Sequence, residues 1–310
     1  MDPRNISIED YTYQLPDVRI ARYPLAERDA SRLLIYKGGM IREDRFLNIA
    51  DHIPENSLLV FNNTKVVEAR LLFQKPTGAI VEIFCLEPHE QYADITTALF
   101  QKSRVNWRCL VGGASKWKRG QILEKSLTAD NQEIVLRAAY VEKKAGYFII
   151  ELSWFPPGLS FAEILHYSGT TPLPPYIKRA VELTDAERYQ TIYALEDGSV
   201  AAHTAGLHFT VSIFEKLKAK EIQTEFVTLH VGAGTFKPVQ ADTMQGHEMQ
   251  PEWFAVSKET IEKLILCWSG NIIAIGTTSA RAIESLYWLG VKFSENPQSQ
   301  TSEIGQWEPY

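Results

Sequence analysis

The sequence predicts a mixed α/β protein whose middle is given over to short strands. Three observations carry this. The apolar run Leu58-Leu59-Val60-Phe61 reads as a buried strand. From about Leu72 to Leu152, strand-like segments separated by Gly, Pro, Asn and Lys follow one another without a convincing helix. Beyond Phe155-Pro156-Pro157-Gly158, apolar residues at helical spacing appear and alternate with strand-like runs. At 310 residues the chain is long for a single domain, so two are expected.

Tyr11 to Lys37 is rich in charge and proline before it turns apolar at Leu33-Leu34-Ile35-Tyr36. Arg22, Arg28 and Arg32 there make either a solvated surface or an anion site. The buried run at 58–61 leads into Asn62-Asn63-Thr64-Lys65, polar side chains suited to a ligand or simply to a turn. In the middle, strands are expected at 79–86, 93–100, 107–111, 133–140 and 147–152, which suggests a small barrel or sandwich. Lys102, Arg104, Arg108, Lys116, Lys118 and Arg119 gather there around Trp107 and Trp117. Such a mixture can hold phosphates and stack unpaired bases. The stronger alternative is a solvated hairpin with its tryptophans in the core.

Ser160-Phe161-Ala162-Glu163 and Thr184-Asp185-Ala186-Glu187 have capping-box form and predict helix starts. Between them Pro172 to Arg179 is a stiff segment presenting Tyr176 and Arg179, either a linker or one wall of a site. A helix is predicted after His208 from Phe209, Ile213, Phe214 and Leu217, a strand over 224–230, and a helix over 257–268. Ile272-Ile273-Ala274-Ile275 then passes through Gly276-Thr277-Thr278-Ser279 into a second helix containing Arg281, an arrangement of backbone N–H groups that binds anions. It is no P-loop, because the glycine-lysine ending is absent.

A formal charge of −6 argues against a protein that coats nucleic acid through overall charge, though not against a local basic groove. Cys85, Cys109 and Cys267 are odd in number and widely spread, which suits reduced thiols in a reducing compartment. The N-terminus has no signal-peptide pattern and no apolar run is long enough to span a bilayer, so a cytosolic protein with no membrane association is expected. His247-Glu248-Met249-Gln250-Pro251-Glu252 breaks the H-E-x-x-H pattern, and no metal site is expected.

Chemistry concentrates in two stretches, Ala201-Ala202-His203-Thr204-Ala205-Gly206-Leu207-His208 and Thr228-Leu229-His230-Val231-Gly232-Ala233-Gly234-Thr235. They place His208 at a helix entrance and His230 at a strand end, where α/β sheets make ligand contacts. Imidazoles there can move protons near neutral pH.

These stretches, with Phe61-Asn62-Asn63-Thr64-Lys65-Val66, Ala69-Arg70-Leu71, Leu173-Pro174-Pro175-Tyr176-Ile177, Arg188-Tyr189-Gln190-Thr191 and Ile275-Gly276-Thr277-Thr278-Ser279-Ala280-Arg281, resemble the S-adenosylmethionine:tRNA ribosyltransferase-isomerase family of queuosine biosynthesis. The resemblance covers nearly all of the chain. It implies a larger α/β domain, residues 1–71 and 156–310, interrupted by an inserted β-barrel at 72–155. It implies transfer of the ribosyl part of S-adenosylmethionine, consumed as cosubstrate, to the aminomethyl-deazaguanine base of a tRNA with a GUN-type anticodon. The product is an epoxide, with adenine and methionine released and no metal required. On that basis His208 and His230 are the expected proton carriers. Gly206, Gly232, Gly234, Thr235, Thr277, Thr278, Ser279, Arg281, Asn62, Asn63, Thr64 and Arg70 are the expected cosubstrate contacts. Tyr176, Arg179, Tyr189 and Gln190 are expected on the base or tRNA side. Relatives have proline where this chain has His203 and a second histidine where it has Gln250, and they continue past its end with a further strand. A noncatalytic member that binds tRNA or a nucleoside is the alternative, and exposed apolar surface is expected. The oligomeric state stays open.

Overall fold

The computed structural model describes residues 2–129, 131–232, 234, 239–298 and 302–310. Strands β1 (Arg32–Lys37) and β2 (Met40–Arg45) form an exposed antiparallel ribbon, followed by the short helix α1 (Ile49–His52) and by β3 (Ser57–Asn62), buried along its whole length. Next come β4 (Thr64–Val66), β5 (Arg70–Gln74), β6 (Ile80–Pro88), the helix α2 (Ile95–Leu99), β7 (Arg104–Gly112), β8 (Ile122–Ala129), β9 (Gln132–Lys144) and β10 (Tyr147–Phe155). The remainder is α3 (Phe161–Ser168), β11 (Gly169–Thr170), α4 (Leu183–Arg188), β12 (Glu196–Ser199), α5 (Val211–Ala219), β13 (Gln223–Leu229), β14 (Phe254–Ala255), α6 (Lys258–Leu266), β15 (Asn271–Ala274) and α7 (Thr277–Glu295). The fold is thus mixed α/β. No helix among the described residues is long and apolar enough to cross a membrane.

Two sheets dominate. One has the order β14-β13-β3-β15, with β13 and β15 both parallel to the central β3. Its centre explains the apolar run, because alternate residues of β3 enter different cores. Leu59 and Phe61 pack with Phe209, Ile213 and Leu217 of the α5 region, whereas Leu58 and Val60 pack with Val227, Leu229 and, from α7, Ala282. The other sheet, antiparallel in order β11-β5-β6-β7-β10-β9-β8, curls into a half-barrel so that β8 returns near β5. Its concave face is filled by Phe73, Ile83, Leu136, Ile150, Leu152, Trp107 and Phe161 among others.

Several expectations are corrected. The stretch 93–100 is not a strand: the Asp94 carboxylate accepts the Thr97 N–H at 2.6 Å and caps α2, which buries Ala98 and Leu99. Helix α4 starts earlier than Thr184, with the Asp185 carboxylate accepting the Glu182 N–H at 2.8 Å. Trp107 and Trp117 are buried, and Arg108 is paired with Glu87 and Glu90, so no stacking platform forms. Arg28 and Arg32 make no joint anion site. Arg28 donates to the carbonyls of Glu187 and Gln190, both at 2.8 Å, while Arg32 pairs with Glu43. The Ser160 capping box, by contrast, is present at α3.

Replacing Phe61 by alanine removes a fully buried ring from the central strand and is expected to cost about 3–5 kcal/mol. Leu183→Ala, at a residue 97% exposed, should stay within about 0.5 kcal/mol. Urea unfolding of the two variants and the parent checks both, and equal losses would place Phe61 outside the core.

Candidate active site

The carboxyl ends of β3, β13 and β15 converge on the start of α7, the region where parallel sheets hold ligands. The base of the region is a hydrogen-bond knot on Asn62. Its Oδ1 accepts the backbone N–H of Leu229 at 3.1 Å and of Thr64 at 3.2 Å, and its Nδ2 donates to the Leu229 carbonyl at 2.8 Å. These partners fix which end of the amide is nitrogen. That nitrogen also lies 3.2 Å from Nδ1 of His203, which must therefore accept, so the proton sits on Nε2 and is directed at the Thr64 hydroxyl. The Thr64 hydroxyl in turn lies 3.1 Å from the Leu229 carbonyl. His203 is neutral for a second reason: burial pushes its pKa down to about 4, with His230 nearby adding to the effect.

Above the knot is a cavity of about 350 Å³ lined by His203, Tyr176, Tyr189, Thr277 and Thr278. A second, of about 370 Å³, shares Val231, Thr277 and Thr278 with it and extends to Gly234, Gln250 and Arg281. Both fall in the range of small-molecule sites. Burial pushes the Tyr189 phenol up to about 12, opposed by a hydrogen bond from the backbone of Ala202. Gly276 opens α7 at φ +88°, where an L side chain would be strained, and leaves Thr277 and Thr278 at the helix N-terminus facing the cavities.

His230 follows β13. Its ring stacks on Trp253 at 5.1 Å and its Nδ1 is buried without a hydrogen-bond partner among the described residues. Burial pushes its pKa down to about 4, against the opposing pull of Asp94. The backbone comes close here: a Cβ on Gly198 would lie 2.6 Å from that Nδ1. Burial also pushes the Glu252 carboxyl up, although Arg281 and the Gly232 N–H, at 3.1 Å, both bind it.

The structure thus brings together His230, Thr277, Thr278, Gly232, Gly234, Arg281, Tyr176 and Tyr189 around adjoining cavities, with Asn62 and Thr64 beneath them. It does not bring the rest. His208 lines none of the cavities described here: its Nδ1–H donates to the Arg28 carbonyl at 3.1 Å and its ring lies against Phe46. Gly206 is required by packing, since a Cβ there would meet the Tyr193 hydroxyl at 2.0 Å. Ser279 is buried and donates to the Ile275 carbonyl at 3.1 Å. Arg70 pairs with Glu82 within the curled sheet, and Asn63 bonds Thr228 and borders a separate groove. Arg179 is held by Asp185 and lies over Tyr23, and Gln190 is spent on both backbone groups of Val66. Thr235 lies outside the described residues. Sequence reasoning left His203 out of the site, although its place in the histidine-rich stretch and its departure from the family pattern both marked it; Gly198, Trp253 and Asp94 gave no signal. Among the described residues no three His, Cys, Asp or Glu side chains are grouped to hold a metal.

Fold and cleft together define an α/β protein with cavities of small-molecule size at the carboxyl ends of a parallel sheet. The chain belongs to the family described as queuosine biosynthesis protein, whose sequence profile matches residues 8–304. It is 38% identical over 285 residues to an S-adenosylmethionine:tRNA ribosyltransferase-isomerase of Aquifex aeolicus, covering 90% of this chain and 77% of that one. The protein of the same name from Magnetococcus marinus is 37% identical over 281 residues, covering 90% and 72%. Among solved structures, an S-adenosylmethionine tRNA ribosyltransferase from Thermotoga maritima is 27% identical, with a TM-score of 0.37, over 89% of this chain and 72% of that one.

Both buried histidines have folded pKa values near 4, below the value of 6.5 expected when unfolded. The stability they contribute is complete above pH 6.5 and is lost as pH falls from there toward 4, because the unfolded chain takes up protons that the folded chain refuses. The urea midpoint is expected to fall over that window, and less steeply in His203→Gln than in the parent. Equal slopes would show His203 titrating normally.

Proposed function

We propose that the chain is an S-adenosylmethionine:tRNA ribosyltransferase-isomerase, as its relatives are named. In this reading it transfers and isomerises the ribosyl group of S-adenosylmethionine onto the aminomethyl-deazaguanine base of a tRNA with a GUN-type anticodon, in the cytoplasm. The observation that carries the reading beyond family membership is His230: a neutral, buried imidazole with an unpartnered ring nitrogen at the carboxyl end of a parallel strand.

The reaction needs a base for the acidified proton beside the sulfonium, help for the departing adenine, and contacts for a carboxylate and a ribose. His230 is the base in this reading, since it is unprotonated at neutral pH and lines a third cavity that adjoins the other two at Val231. The hydroxyls of Thr277 and Thr278 and the first N–H groups of α7 suit the cosubstrate's carboxylate. Tyr176 and Tyr189 share that cavity, so they are read as cosubstrate contacts rather than tRNA contacts. His208, which donates to the Arg28 carbonyl, holds the approach to α5 instead of carrying a proton. Residues 72–155 are proposed as an inserted barrel domain that docks on the α/β part beside His230.

The assay follows adenine release and the mass of the modified nucleoside from S-adenosylmethionine and precursor tRNA. His230→Ala is expected to lose about 100-fold or more in kcat, the usual worth of a general base, and His208→Ala less than about tenfold. Full turnover by His230→Ala would remove the base assignment. A parent chain that binds tRNA without turnover would instead be a tRNA-binding member of the family.

A further inference from the structure

Strand β7 divides the basic residues that stand together in the sequence. Lys102 and Arg104 lie at its start, near the cap of α3, and Arg108 in its middle is taken by Glu87 and Glu90. Lys116, Lys118 and Arg119 follow its end, on the loop that leads into β8. Trp117 anchors that loop: the indole is buried and its N–H donates to the Gln121 carbonyl at 2.8 Å, while the Lys118 carbonyl accepts the Gln121 N–H at 3.0 Å. With the indole inside, Lys116, Lys118 and Arg119 around it are all exposed. The turn between β5 and β6 packs alongside, its Lys75 ammonium donating to the Lys116 carbonyl at 2.6 Å.

Carboxylates are missing from this end of the curled sheet. Neither 69–81 nor 101–123 contains an Asp or Glu, in a chain whose net charge is −6. Lys75, Lys116, Lys118 and Arg119 pair with no carboxylate among the described residues, whereas Arg70, Arg108, Arg137 and Lys144 of the same sheet each do. Glu124, in the groove between the two loops, is held by Arg137. A surface shaped only for solubility mixes the signs, as the rest of this sheet does. Cations of one sign gathered on two adjoining loops make a field that suits a partner of repeated negative charge.

We propose that the loop 113–121, with Lys75 beside it, binds phosphates of the tRNA backbone at a distance from the nucleotide that reacts. The assignment rests on the function proposed above, from which the partner is taken. A Cβ on Gly113 would lie 3.2 Å from the Ile80 carbonyl, so the loop sits at the start of β6, and the last residue of that strand, Pro88, lines the cavity that holds His230. Eight residue steps of about 3.3 Å put loop and cavity about 25 Å apart along the strand. At that separation the loop touches neither the reacting base nor the cosubstrate. Contacts of this kind fix the position of a nucleic acid and add affinity without reading its sequence. Burial of Trp117 leaves no ring here for base stacking, which restricts the contact to the backbone.

The test measures binding of precursor tRNA to the whole chain by fluorescence anisotropy across a salt series. It compares the parent with the double variant Lys118→Gln, Arg119→Gln, whose side chains have no hydrogen bond or ion pair among the described residues to lose. A second double variant, Lys218→Gln, Lys258→Gln, makes the same change of charge on exposed residues of α5 and α6. Loss of two phosphate contacts is expected to flatten the slope of log K against log salt by about 1.5 and to weaken binding at 0.1 M salt about tenfold or more. The α5 and α6 variant should follow the parent. In turnover, the loop variant should raise the KM for tRNA and leave kcat and the KM for S-adenosylmethionine within about twofold. A loop variant with the parent's slope and affinity, or equal losses in both variants, would overturn the assignment while leaving the proposed function standing on the parent's turnover. A parent without turnover whose tRNA binding still responds to the loop alone would overturn the proposed function and keep the surface.

Discussion

The carboxamide of Asn62 is the interaction on which the site depends. It is wholly buried and spends both ends on backbone, so it joins the end of β3 to the end of β13 where regular ladder pairing gives out. Without it the Leu229 N–H would be orphaned inside the protein, at roughly 1–3 kcal/mol, and the Leu229 carbonyl would keep only the Thr64 hydroxyl. The same amide decides the chemistry above it. Its nitrogen forces His203 to accept at Nδ1, and an imidazolium there would set donor against donor. Structural tie and electrostatic setting are therefore one group.

Around that tie, burial outweighs charge. His230 has Asp94 near enough to favour its protonated form, yet desolvation dominates and the ring stays neutral. Glu252 shows the opposite sign from the same cause: Arg281 and a backbone N–H stabilise its carboxylate, and burial still raises its pKa. A region that keeps bases unprotonated and disfavours ionised acids suits chemistry on a cationic sulfonium, since a neutral base approaches it without charge repulsion.

Much of this was legible in the sequence. The run at 58–61 needed only its uninterrupted apolarity to be placed in a central strand, and Ser160 with Glu163 announced α3. The turn from Ile275 through Thr278 was readable because strand, glycine and hydroxyls stand in order. What was not legible came from contacts distant in the chain. His208 and His230 look alike locally, and only the meeting of Arg28 with the start of α5 occupies the first while leaving the second unpartnered. Arg179 and Gln190 are polar in sequence, but Asp185 and Val66 consume them. Gly206 gave a true signal of close approach, and the group that approaches it is the Tyr193 hydroxyl.

The misread segment at 93–100 shows how the two sheets depend on each other. Its apolar residues alternate well enough for a strand, but Asp94 offers a local cap, and a capped turn buries Ala98 and Leu99 against the curled sheet without an exposed edge. Once helical, the segment sets Ile95 against Gly198, whose missing side chain lets β12 lie between α2 and the ring of His230. Any side chain at 198 would strain a backbone at φ +141° and drive the ring from its position. The neutral state of His230 therefore depends on β12 staying packed over the ring: open that cover, and water reaches Nδ1, the desolvation that holds the pKa down disappears, and the imidazole reverts to an ordinary surface histidine.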